Sequence, residues 1–512
     1  MRRFLGIAAA LLLLAGCGGG GGGGSGGTTV VPPPGNAAYF DPVAYSSAPN
    51  ASLASAQELS QVTHGTVTVN ATALAYTATT GHLTARKLGT DAPDASFFYI
   101  AYTLDGRDPA TRPVTFFYNG GPGSSTVWLH LGSFGPRRLA ANAPSTSTPR
   151  PFPLVENTES LLDVSDLVFV DAVGTGFSQA IAPNTNRTFW GVDADAAVFR
   201  DFIRRYVAVN NRGASPKFLF GESYGTTRSA VLAFLLESAG VRLNGVVLQS
   251  SVMNYNSNCG VIEETTSCAG YLPAYGATGA YHGRTNPVPS TATFPTFIEQ
   301  LRVLTTTQYV PAVDSYLAQR VVPAPSLIDQ LVSATGLPIG VWQEHPNLGP
   351  ETVRSSLIPG TSLGRYDARM TTPAGGVRVD ISDTFISPSF GTGIASYLVE
   401  TLRYTAPTLY VMSGNAFSSW NFSHDGQPLP DTIPDLSAAM TLNPRLKVLA
   451  VSGYHDLATP FHQTERDLER LGANPNLLIR NYNGGHMTYL DDQSRALQKA
   501  DLAQFYQLAT QP

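Results

Sequence analysis

Short apolar runs alternate with stretches of helical periodicity from about residue 97 to residue 248. Phe116-Phe117-Tyr118 and Lys217-Phe218-Leu219-Phe220 show no polar alternation, the pattern of strands covered on both faces. Residues 192–207 place Val198, Phe199, Phe202, Ile203 and Tyr206 on one side, which predicts a helix packed on a sheet. Residues 229–236 are also expected to be helical. The pattern is expected to resume at Thr408-Leu409-Tyr410-Val411. It continues through Lys447-Val448-Leu449-Ala450-Val451 and through residues 477–482, and closes in a helix over about 493–508. Strands alternating with helices predict an α/β chain with a mostly parallel central sheet flanked by helices. Between the two halves, residues 254–395 turn rich in Pro, Thr and Ser, with amphipathic stretches at 297–304 and 313–321. This segment is expected to be an inserted lid, the usual seat of substrate selection, set between core segments 39–253 and 396–512. The chain shows no internal repeat.

One junction in this pattern carries chemistry. Gly221-Glu222-Ser223-Tyr224-Gly225 joins an expected buried strand to an expected helix. A serine between two glycines in such a turn has its hydroxyl pushed out above the sheet edge, the nucleophile elbow of an α/β-hydrolase fold. A plain βα turn is the bland alternative. A nucleophilic serine needs a base and an orienting carboxylate, which in this fold follow in the order Ser, Asp, His. Asp456 lies just past the 447–451 run, and His486 sits in Asn483-Gly484-Gly485-His486-Met487 just past the 477–482 run. His455 and His462 are rivals for the base. His455 abuts Asp456 directly, so in an extended segment the two side chains diverge. Upstream, Asn119-Gly120-Gly121-Pro122-Gly123-Ser124-Ser125 follows a strand, and its glycines let main-chain N–H groups approach a developing oxyanion.

Together with Val170-Asp171-Ala172-Val173-Gly174-Thr175-Gly176-Phe177-Ser178, these blocks resemble the serine carboxypeptidase family, in its order, over about residues 90–255 and 400–512. The resemblance implies Ser223 as nucleophile, His486 as general base then acid, and Asp456 as holder of the imidazole tautomer. It implies an oxyanion hole from the N–H groups of Gly121 and Tyr224. It further implies that Asn119, Gly120 and Glu222 bind the free C-terminal carboxylate of a peptide. Glu222 suits that role only when protonated, because two carboxyl groups sharing a site do not both ionise cheaply. Ser133 stands where the family places a second glutamate, before Gly135-Pro136, and Tyr454 stands where it usually has an aspartate. The first departure bears on carboxylate recognition and pH optimum; neither touches the triad.

The ends of the chain add a location. Arg2-Arg3, an apolar run over 4–14 and Leu14-Ala15-Gly16-Cys17 describe an export signal over 1–16 that resembles a bacterial lipoprotein leader. Lipid on Cys17 is expected, followed by a Gly/Pro-rich tether over 17–38 and, from Gly18 in the second mature position, an outer-membrane destination. An ordinary signal that discards Cys17 is the alternative. Cys259 and Cys268, in a turn-rich part of an exported chain, are expected to form a disulfide. No metal or cofactor is implied by any spacing. The formal charge of −5, with no Lys/Arg run, speaks against a nucleic-acid partner. The expected function is a lipid-anchored serine carboxypeptidase. An esterase or acyltransferase using the same triad is the second reading, and a non-catalytic peptide-binding lipoprotein the third.

Overall fold

All but one of the runs predicted as strands lie side by side in a ten-stranded sheet. The computed structural model describes residues 36–511 apart from 57, 262–264 and 376–379; the leader, Cys17 and most of the tether lie outside them. In chain order the nine longer strands are β1 (Ser60–Val69), β2 (Thr72–Arg86), β3 (Pro93–Leu104), β4 (Val114–Tyr118), β5 (Asp166–Val170), β6 (Lys217–Glu222), β7 (Gly245–Gln249), β8 (Lys447–Gly453) and β9 (Leu477–Tyr482). Their spatial order is β9-β8-β7-β6-β4-β5-β3-β2-β1. Strands β4 to β9 are mutually parallel, whereas β1 to β3 form an antiparallel meander whose last strand runs antiparallel to β5. With the serine after β6, the aspartate after β8 and the histidine after β9, this is the α/β-hydrolase fold.

The central parallel strands are mostly apolar because both faces are covered. Phe116, Tyr118, Leu219 and Val246 join a core with helices α2 (Val192–Val209) and α3 (Tyr224–Ser238). The alternate residues Phe117, Phe218, Phe220 and Val247 pack on the other side. There they meet Leu129 of the short helix α1 (Val127–Gly132) and Phe505 of the C-terminal helix (Asp492–Thr510).

Between β7 and β8, helices Leu272–Tyr281, Phe294–Leu304, Val310–Gln319 and Pro325–Thr335 enclose an apolar cluster that includes Tyr275, Leu301, Tyr309 and Trp342. Leu457 and Phe461 of the main body complete that cluster. The Cys259–Cys268 disulfide lies in it, with Cα atoms 5.1 Å apart. Among the described residues no helix is long and apolar enough to cross a membrane.

One predicted strand is not a strand. Residues 408–411 are irregular, and Leu409 is 88% exposed. Val411 makes an isolated antiparallel bridge to Gly176, and Ser413 one to Ser124. The Tyr410 hydroxyl donates to buried Asp171 at 2.9 Å. The Tyr410 hydroxyl and the main chain of Val411 and Ser413 fasten this run as a loop across the glycine-rich turns.

Candidate active site

The turn after β6 holds Ser223 at φ 59°, ψ −128°, a conformation L-residues occupy only when their surroundings over-determine it. Here they do. The Ser223 N–H donates to Gln249 O at 3.0 Å, and a side chain on Gly221 would meet Gly225 O at 2.2 Å. Helix α3 starts at once, so the N–H of Tyr224 is its first and has no intrahelical acceptor. Across from it, a Cβ on Gly120 would lie 2.4 Å from Tyr224 N. Only glycine there lets the 119–125 turn come this close to the start of α3.

Asp456 and His486 meet above the same sheet edge. Nδ1–H of His486 donates to Asp456 Oδ2 at 2.7 Å, which leaves Nε2 as the acceptor nitrogen. Asp456 is fully buried; its Oδ1 accepts the N–H groups of Ala458 and Thr459, and its Oδ2 the Thr459 hydroxyl at 2.8 Å. Burial alone pushes this carboxyl up, but His486 and the Thr459 donors together bring it below its usual range. Burial pushes the imidazole of His486 down, and Asp456 more than reverses that, so His486 ends above its usual value. The rivals are engaged elsewhere: His455 Nε2 with Asn483, and His462 Nδ1 with Glu465.

Ser223 and His486 line a cavity of about 200 Å³ whose walls include Asn119, Gly120, Gly121 and Glu222. The 254–395 segment supplies Tyr366 and Asp383 to the same lining. Glu222 is buried, and burial is the main cause that raises its carboxyl to about 7. Asn119 Nδ2 donates to its Oε1 at 2.7 Å and the Tyr489 hydroxyl to its Oε2 at 2.6 Å. Ser133 does not take part: its hydroxyl turns back to Leu129 O at 2.5 Å.

Thr459, Tyr489, Arg228 and Tyr366 belong to this site and were not read from the sequence. Fully buried Arg228 pairs with Asp195 at 2.7 Å and donates to Asn119 O at 2.9 Å, which ties the 119–125 turn to α3. Tyr366 O accepts the His486 N–H at 2.6 Å. Thr459 and Tyr489 each lie three residues past a triad member, the one signal that could have marked them.

Chemically, the arrangement is that of a serine hydrolase: a strained serine, a base whose tautomer a buried carboxylate fixes, and paired main-chain donors. Cys259 and Cys268, joined in the disulfide, lie apart from these groups.

A model of the serine carboxypeptidase family matches residues 70–266. Serine carboxypeptidase-like 16 of Arabidopsis thaliana is 26% identical over 181 residues, 33% of this chain and 39% of that protein. Serine carboxypeptidase-like 33 of the same plant is 31% identical over 147 residues, 28% of each. The chain thus spans at most 39% of the length of these curated relatives. Among solved structures, a proline iminopeptidase of Mycobacterium smegmatis aligns over 84% of this chain and 98% of its own, at 14% identity and a TM-score of 0.36. A thermostable carboxyl esterase of Bacillus coagulans aligns over 83% and 97%, at 11% identity and a TM-score of 0.36. The family match ends before Asp456 and His486, whose pairing comes from the geometry alone. Residues 70–266, which carry the 119–125 turn and the Ser223 elbow, are thus similar to the serine carboxypeptidase family.

Proposed function

We propose that this hydrolase is a serine carboxypeptidase that releases C-terminal residues from peptides through an acyl-enzyme intermediate, tethered to a bacterial membrane by lipid on Cys17. The observation that carries the first part is Glu222, a buried carboxyl raised to about 7, in the wall of the cavity that holds Ser223 and His486. A protonated carboxyl beside the Asn119 amide is a fitting receptor for a carboxylate, since it offers a hydrogen instead of a repelling charge. In this reading the Ser223 hydroxyl attacks the last peptide carbonyl as His486 Nε2 takes its proton. The N–H groups of Gly121 and Tyr224 receive the oxyanion, and His486 returns the proton to the departing amine.

The test compares blocked peptides bearing a free or an amidated C-terminus, from about pH 4 to about pH 8, beside Ser223→Ala. A preference for the free acid of at least tenfold in kcat/KM, lost in the variant, supports the reading. Equal cleavage of both, or action on simple esters alone, assigns the triad to an esterase or acyltransferase. For the tether, globomycin-sensitive processing and detergent-phase partitioning are expected, and a freely soluble mature protein overturns it.

A further inference from the structure

We propose that Tyr489 is a positioning residue for substrate selection, its hydroxyl holding the Glu222 carboxyl so that Glu222 presents one hydrogen to the free carboxylate of a peptide's last residue. This rests on the carboxypeptidase reading. With Asn119 Nδ2 on one oxygen and the Tyr489 hydroxyl on the other, both Glu222 oxygens already accept a hydrogen bond. An acidic proton on Glu222 is then left to the remaining lone pairs, and the cavity wall to which Glu222 belongs is where a substrate carboxylate can take it.

The position of Tyr489 makes it a replacement for a missing acid. Its ring packs against the end of α1, where a Cβ on Gly132 would lie 2.8 Å from Tyr489 Cε2, next to the Ser133 that turns away. Its main-chain oxygen is held by Arg495, so the turn does not depend on the hydroxyl. A second carboxyl at this place would share its proton with Glu222; a phenol is a neutral donor throughout the working pH range, and burial beside Glu222 raises Tyr489 far above 10. His486, Tyr489 and Asp456 act on Glu222, and Tyr366 and Asp383 line the same cavity. A neutral donor favours the ionised form of Glu222, so Tyr489 sets the pH above which carboxylate binding fails.

The experiment measures KM and kcat of the full chain on a blocked dipeptide with a free C-terminus and on a blocked amino-acid ethyl ester, which has no carboxylate to bind. It runs from about pH 5 to about pH 9 for the unchanged protein, for Tyr489→Phe, and for a variant with 3,5-difluorotyrosine at 489. The unchanged protein is expected to show a KM for the acid that climbs above neutral pH. In Tyr489→Phe that climb moves up by about half to one pH unit, KM below it rises several-fold, and kcat/KM for the ester stays within about twofold. The fluorinated phenol, a stronger donor of nearly the same shape, moves the climb the other way; it decides the matter if the Phe variant fails to fold. A climb at the same pH in the fluorinated variant, or equal losses on acid and ester, overturns the inference while leaving the carboxypeptidase reading intact. An unchanged protein whose KM for the acid does not depend on pH, and which cleaves the amidated peptide equally well, overturns both.

Discussion

His486 stands between two carboxyl groups with opposite duties. Asp456 must stay ionised to hold the imidazole, and its partners keep it so. On the proposed reading Glu222 must stay neutral to receive a carboxylate, and burial raises its carboxyl to about 7. The two needs conflict, because a protonated His486 and an ionised Glu222 attract one another. The pair therefore titrates together, and on that reading only the form with the proton on Glu222 would work on free acids. The sign follows for both substrates. Esters need only a neutral His486, so kcat/KM for an ester should rise through neutral pH and level off above it. Free-acid peptides also need protonated Glu222, so their rate should fall again above about pH 7; a peptide optimum at or above the ester plateau would contradict this assignment. Thr459 touches both Asp456 and His486 Nδ1, the latter at 3.1 Å. Thr459→Val should lower kcat by about tenfold with KM nearly unchanged, read by steady-state kinetics on the ester. Ser223, Asp456 and His486 were legible because motif and strand end coincide. Thr459 and Tyr489 were not, since a hydroxyl three residues past a turn resembles any other until the turn is folded.

At the scale of elements, the apolar runs at 116–118, 217–220, 447–451 and 477–482 fall within two residues of four parallel strands, because a covered strand is dominated by apolar side chains. Helix α3 begins five residues before the predicted start, since Tyr224 to Arg228 are buried for reasons of the site and blur the periodicity. The 408–411 run misled for another reason: it is a loop fastened by the Tyr410 hydroxyl and by main-chain bridges, with Leu409 exposed. Helices α2 and α3 are locked by Asp195 and Arg228, whose guanidinium also lies 4.3 Å from the centre of the Phe199 ring. Breaking a buried pair strands a charge, which outweighs what the pair itself adds. Arg228→Met should thus destabilise by about 3–5 kcal/mol in denaturant unfolding. An effect below about 1 kcal/mol would mean Asp195 finds water or another donor.

For the whole molecule, the inserted helices are more than a cover. The stretch 364–370 runs from them into the main body and grips both triad loops. Arg365 O accepts the Leu457 N–H, Tyr366 O the His486 N–H, and the Ala368 N–H donates to His455 O. Arg369 closes the grip with donors to Asp367, Asn483 O and Asp491. None of this was visible in a Pro/Thr/Ser-rich segment, because main-chain contacts leave little trace in side-chain pattern. Arg369→Met should lower kcat about tenfold on acid and ester alike, unlike a change at Tyr489. Labelling of Ser223 by a phosphonate should slow by a similar factor, and a loss confined to free acids would refute that role.

The same grip bears on how such a protein can be altered, by descent or by hand. Helices between residues 272 and 356 meet the main body chiefly through an apolar surface, the kind of joint that tolerates exchange. The 364–370 stretch is instead continuous with the geometry of the base. A transplanted segment that stops short of residue 364 should bring new preferences and keep its turnover, whereas one that runs past residue 370 imports a foreign hold on His486.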